Sequence, residues 1–311
     1  MIEMDRTINT LCPYTLKSLD EIKHNGEHVL LAGLGVPDSF TVNASIQANK
    51  EVNKLLDEPF LSVGMIKFLS SIAGVTSRSG EVKPFFSGIA QITGEPVLVR
   101  LSPSEVTFKI KKPVKFDADN QINAVVGYGD EVNETLEKIK EKYLAKGFKV
   151  ETLPPTSHEA EVALRFEMDF ELLSFQYVKI AYLTMVYLFG DDGINCKAGD
   201  EIRRRLINKI PFNSKIEGLG VLDWNDEVIP ILPEITKDKH VIACVNIGDD
   251  IICAISLFGC FNKVLVLKNE SIKSNDIFGY IFNIDFRQRK ISRENYLDRI
   301  NDVANNFKFP T

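Results

Sequence analysis

The sequence is poor in the residues that mark most specialised classes of protein. It has one tryptophan, four histidines and five cysteines in 311 residues. The cysteines are Cys12, Cys196, Cys244, Cys253 and Cys260, and no two of them form a CxxC pair. An odd, scattered set excludes a disulfide framework and makes a reducing cytoplasm the expected compartment. Positive charge is also scarce, with 37 Lys and Arg against 43 Asp and Glu and a net charge of -6. That argues against broad adhesion to nucleic acid while leaving room for a local basic groove. The first residues show no basic region followed by an apolar run, so no signal peptide is expected. No internal repeat and no low-complexity linker interrupts the chain. One apolar run, "FELLSFQYVKIAYLTMVYLF" (170–189), is long enough to span a bilayer. It carries Glu171, Gln176 and Lys179 and has no partner segment, so a buried core helix is expected and no membrane.

What is present is ordinary soluble protein, 44% hydrophobic and 26% charged, enough for one large domain or two. "EHVLLA" reads as a strand and "ASIQANKEVNKLLDEPF" as a helix stopping near Pro59, with a second helix over roughly 60–74. Residues 80–168 read as mixed strands around the helix "DEVNETLEKIKEKYLAKGF", with Gly147 as its stop. "HVIACVNIGDDIICAISLFGCFNKVLVL" (240–267) reads as three antiparallel strands packed on 170–189. The C-terminal "SRENYLDRINDVANNFKF" reads as a helix capped by Ser292. The class expected is α+β.

The stretch "GEHVLLAGLG" (26–35) sets two ionisable side chains, Glu27 and His28, before an apolar run and a glycine loop. In a buried strand one of the two would face the core, at a cost of a few kcal/mol unless partnered. Downstream come Asn43, then Asn49 and Asn53, four apart on one side of the expected helix. This order suits a one-metal nuclease. Phosphodiester hydrolysis needs a base to activate water and a cation to neutralise the leaving oxygen. His28 is the candidate base. Glu27, Asn49 and Asn53 are candidate oxygen ligands for Mg2+ or Mn2+. Asn43 would hold the imidazole tautomer.

Residues 27–57 resemble the HNH (ββα-metal) endonuclease family, with its acid-His pair, glycine loop, middle Asn and "CN…D" helix. "ANKEVNKLLD" is similar to that helix, with Ala48 where the Cys would be. The resemblance implies His28 and Asn43 as catalytic residues and Glu27, Asn49 and Asn53 at the metal. Many members also hold this unit with zinc on two CxxC pairs. Here Cys12 stands alone, with Thr15, Ser45 and Ala48 in the other three places. One soft ligand cannot build a four-coordinate zinc site, so no structural zinc is expected. Packing through Leu55, Leu56, Phe60 and the 60–74 helix would have to replace it.

The organisation expected is a nuclease unit over 1–75 and an α+β region over 76–311 for recognising a substrate or partner. A weaker resemblance of 170–189 and 240–267 to regions appended to bacterial HNH proteins implies architecture and phage defence. Nucleic acid, with DNA the expected target, is the implied partner; a homo-oligomer or an operon partner protein is compatible. Basic stretches at 109–115, 203–209 and 287–290 read as solvated faces or, alternatively, phosphate contacts. His24 reads as an exposed loop residue, and Trp224 reads as core. A second reading stands beside the enzyme: a decayed HNH scaffold in a binding module.

Overall fold

The computed structural model describes residues 8–75, 85–91, 94–111, 114–116, 118, 122–127, 131–151, 161–222, 235–272 and 278–306. Trp224, His158 and part of the 109–115 stretch lie outside the described residues. The chain is α+β, and every described strand pairing is antiparallel. It divides into two compact units, Met1–Glu81 with Met168–Thr311, and Val82–Glu167. The boundary expected at 75/76 falls near the chain's exit from the first unit. Residues 168–311 then return to that unit instead of forming a second one, because their apolar helix and sheet supply its core.

The first unit opens with a tight turn at Cys12, whose N–H donates to Lys17 O at 2.9 Å and whose carbonyl accepts from Leu16 N at 2.9 Å. β1 (His24–His28) and β2 (Thr41–Ser45) then form a hairpin. The expected strand 27–32 stops at His28. Val29, Leu30 and Leu31 are all buried, whereas a strand would turn alternate residues outward. The chain instead closes through a short 3-10 turn at Ala32–Leu34. Gly35 follows at φ +87°, and a Cβ there would meet the Phe286 carbonyl.

The helix begins directly after β2. α1 (Ile46–Val52) is capped by Ser45, whose Oγ accepts from Ala48 N, and buries Ala48 and Val52. A π-helical turn, Asn53–Asp57, interrupts the register before α2 (Glu58–Ser62), so Leu56 and Asp57 both point inward. Pro59 stands in the first turn of α2, where its missing N–H costs nothing, so the helix runs on to Ser62. α3 (Gly64–Ala73) completes this segment.

The second unit pairs β3 (Phe86–Ala90), β4 (Pro96–Leu101) and β5 (Val106–Ile110). A hairpin of β6 (Val114–Phe116) and β7 (Ile122–Val125), α4 (Glu131–Leu144) and β8 (Val162–Leu164) follow. The sheet order β5-β4-β3-β8 puts Lys109 on an edge strand, which suits a solvated charge. Gly147, at φ +82°, stands just past the end of α4.

Back in the first unit, α5 (Phe170–Phe189) starts at Asp169, whose carboxylate accepts from Leu172 N at 2.9 Å. From Phe175 to Leu188 it is buried on every side, as a core helix is. α6 (Asp191–Ile194) and α7 (Gly199–Asn208) lead to β9 (Leu219–Leu222). The expected three-strand meander forms as β10 (His240–Ile247), β11 (Asp250–Leu257) and β12 (Phe261–Lys268), packed against α5. β13 (Phe278–Asp285) and β14 (Lys290–Asn295) complete the sheet in the order β14-β13-β10-β11-β12-β9. Ser292 therefore lies in a strand, and α8 (Tyr296–Asn306) starts after Asn295, whose Oδ1 accepts from Leu297 N. Tyr296 seals a small second core against Val241, Ala243, Val245 and Ile281 on the sheet's other face. Cys244 and Cys253 face each other across β10 and β11 as free thiols, and the other three cysteines are free as well.

Candidate functional site

Glu27 and His28 are successive residues of β1, so they leave the hairpin on opposite faces. His28 stands opposite Thr41, and Asn43 stands opposite Gly26, which puts His28 and Asn43 on one face. Glu27 stands opposite Val42 on the other face, and both are 4% exposed. His28 Nε2 lies 3.4 Å from Asp38 Oδ1, at a position where Asp38 is largely in solvent. Asn43 is fixed through its backbone: its N–H donates to Asn9 Oδ1 at 3.1 Å, and its carbonyl accepts from Asn9 Nδ2 at 2.8 Å.

The helix asparagines are engaged locally. Asn49 Nδ2 donates to Asn25 Oδ1 at 3.1 Å and to Gly26 O at 3.4 Å, tying α1 to β1. Asn53 Nδ2 donates to Glu58 Oε1 at 2.8 Å. Glu27 is buried on the hairpin face opposite His28, so Glu27, His28 and Asn49 do not line one solvent-open pocket. The three expected ligands, Glu27, Asn49 and Asn53, each meet a different partner: Lys179, Asn25 and Glu58. Among the described residues no group of three or more His, Cys, Asp or Glu is placed to hold a metal.

Three of the four positions compared with zinc cysteines, Cys12, Ser45 and Ala48, are nonetheless drawn together. Cys12 Sγ accepts from Ser45 N at 3.3 Å, and Ser45 in turn caps Ala48. Cys12 and Ala48 are buried with Val52, Leu56 and Phe60 in the main core.

Glu27 belongs to a buried ionic cluster that the sequence reading did not find. Lys179 Nζ, from the middle of α5, lies 2.7 Å from Glu27 Oε1 and 2.6 Å from Asp57 Oδ2. The Tyr14 hydroxyl donates to Glu27 Oε1 at 2.8 Å, and Gln176 Nε2 donates to Asp57 Oδ1 at 3.0 Å. Burial alone would push the lysine's pKa down, but the charges of Asp57 and Glu27 outweigh it and hold Lys179 above its ordinary value. Glu27 is also held above its ordinary value, because burial, with Asp57 adding to it, outweighs the pull of Lys179. The signal in the sequence was Lys179 itself. A lysine inside an apolar helix is almost never buried unless an acid meets it.

Two arginines of the 203–209 stretch, Arg203 and Arg205, are spent inside the fold. Arg203 donates to the Tyr182 hydroxyl at 2.9 Å and to Ile194 O at 2.8 Å, and it pairs with Asp200. Arg205 donates to Glu201 and Ser214 and caps the Pro211 carbonyl. Arg204 alone of the three is exposed, and it forms a two-pronged pair with Glu201. Arg287 donates to Ala73 O at 2.7 Å, and Arg289 reaches Ala32 O and Val36 O, clasping the loop after β1. His240 is a satisfied core histidine: Nδ1 accepts from Phe258 N at 3.1 Å and Nε2 lies 3.0 Å from Leu34 O.

Comparison of the chain with family models, with curated proteins and with solved structures gives no match.

Proposed function

We propose that residues 24–57 are an HNH-type ββα unit converted from catalysis to support, and that the chain is a protein-binding module. The observation that carries this reading is the position of Glu27. The acid that the nuclease reading places at the metal is enclosed in the core and bonded to Lys179 and Tyr14. Two further observations support it. The hairpin-then-helix order and the contact of Cys12 with Ser45 fit the HNH resemblance. Arg203 and Arg205 serve internal hydroxyls, Arg287 bonds the Ala73 carbonyl, and the net charge of -6 suits a protein partner better than a polyanion.

One observation favours the alternative, a metal-dependent endonuclease. His28 and Asn43 share the solvent side of the hairpin, and Asp38 beside His28 could orient its imidazole. The test treats wild type and His28→Ala with plasmid DNA, single-stranded DNA and RNA in Mg2+ or Mn2+, with fluorescence anisotropy on the same oligonucleotides. The binding-module reading expects no cleavage above the His28→Ala level and no salt-sensitive binding. Cleavage by wild type that His28→Ala lowers about 100-fold or more would return the chain to the nucleases.

A further inference from the structure

The buried cluster has the make-up of a divalent-cation site with a lysine where the ion would be. Two carboxylates from separate elements, Glu27 on β1 and Asp57 at the end of the π-helical turn, close on one point, the Lys179 ammonium. A third oxygen is at hand. Gln176 precedes Lys179 by one helical turn and bonds Asp57 through its nitrogen, while its Oε1 is buried with no hydrogen bond. Buried amide oxygens are rarely left so, since an unmet one costs about 1–3 kcal/mol. With both carboxylates ionised, one ammonium leaves one negative charge over, whereas a divalent ion balances both. Three hard oxygens of this kind suit Mg2+, Mn2+ or Ca2+.

We infer that the Lys179 ammonium is a built-in substitute for a divalent cation. It pins hairpin, helix and core helix together. Removing its side chain leaves a divalent-ion site made of Glu27, Asp57 and Gln176. The inference rests on the geometry of this cluster and is independent of the family to which the hairpin belongs. Nuclease assays bear on the other reading and leave this one untouched.

The experiment is thermal unfolding, followed by circular dichroism, of the chelator-treated full chain in MnCl2, CaCl2 or MgCl2. Wild type, Lys179→Ala, and Lys179→Ala combined with Glu27→Gln and Asp57→Asn are compared. Wild type should not respond. Lys179→Ala should gain several degrees once an ion exceeds its Kd by about a hundredfold. If this variant is unfolded without metal, the same binding should appear as regained helical signal on adding the ion. The triple variant should lose the response. Three results would overturn the inference: a Lys179→Ala protein indifferent to all three ions, wild type responding as strongly, or a response that survives loss of both carboxylates.

Discussion

Glu27 and His28 are adjacent in sequence and serve different environments: Glu27 meets Lys179 at 2.7 Å in the core, and His28 meets Asp38 at 3.4 Å near the surface. Removing one partner of a buried pair leaves an uncompensated charge, which costs about 3–5 kcal/mol. Removing one partner of an exposed pair costs about 0–1 kcal/mol. Glu27→Ala should therefore lower the urea midpoint sharply, and by more than His28→Ala does. Equal effects would show that Glu27 is not the structural acid its position makes it.

His240 makes stability fall on acidification. Burial lowers its pKa from 6.5 to about 4, so the folded chain resists a proton that the unfolded chain accepts. The unfolded state binds more protons between those values, so stability rises with pH across that window. It is complete above about 6.5 and lost progressively down to about pH 4, by roughly 3 kcal/mol in all. Glu27, held above its ordinary value, pulls the opposite way, so the readout is a difference. The urea midpoint of wild type minus that of His240→Gln should shrink from pH 7 to pH 5. A constant difference would mean that His240 titrates normally in the fold.

Arg204 and Arg205 are neighbours with different duties. Arg205 is 6% exposed and joins Glu201, Ser214 and the Pro211 carbonyl, while Arg204 pairs with Glu201 in solvent. Arg205→Ala should cost about 2–3 kcal/mol, because it strands buried partners. Arg204→Ala should stay within about 0.5 kcal/mol. If Arg205→Ala leaves the melting temperature unchanged but weakens binding of an oligonucleotide, the side chain serves a phosphate and not the fold.

Local patterning made α5 and the β10–β12 meander legible. An unbroken apolar run of helical length and strands hinged on Gly248 at φ +62° carry their own signals. The end of β14 was not legible. Ser292 is a good helix cap, but its segment pairs residue by residue with β13, and that tertiary pairing outweighs the local preference. The candidate site was half legible. Sequence order singled out His28 and Asn43, and the β1–β2 register, which was not expected, puts them on one hairpin face. The fate of Glu27 depended on Lys179 and on Asp57, which lies 122 positions from that lysine. The π-helical turn that aims Asp57 inward has no signature among ordinary helix formers.

The contact between Cys12 and Ser45 leads to a constructive test. The Cys12 thiol already lies 3.3 Å from the amide of the residue that stands in the first place of the missing second cysteine pair. Ala48, the second place, lies one helical turn on, with Ser45 capping it. Thr15 sits in the turn that Cys12 opens, closed by the Leu16 N–H on the Cys12 carbonyl. If the fold keeps the HNH zinc geometry, three substitutions, Thr15→Cys, Ser45→Cys and Ala48→Cys, should complete a tetrahedral site of four thiolates. Co2+ added to the reduced variant should give the absorption of tetrahedral thiolate coordination, with one ion per chain, and Zn2+ should displace it. Zn2+ should also raise the variant's melting temperature by several degrees while leaving wild type unmoved. A variant that folds but takes up no cobalt, or takes it up in octahedral form, would show that the four positions do not share the family's geometry. The ancestry proposed for residues 24–57 would then lose its main structural support.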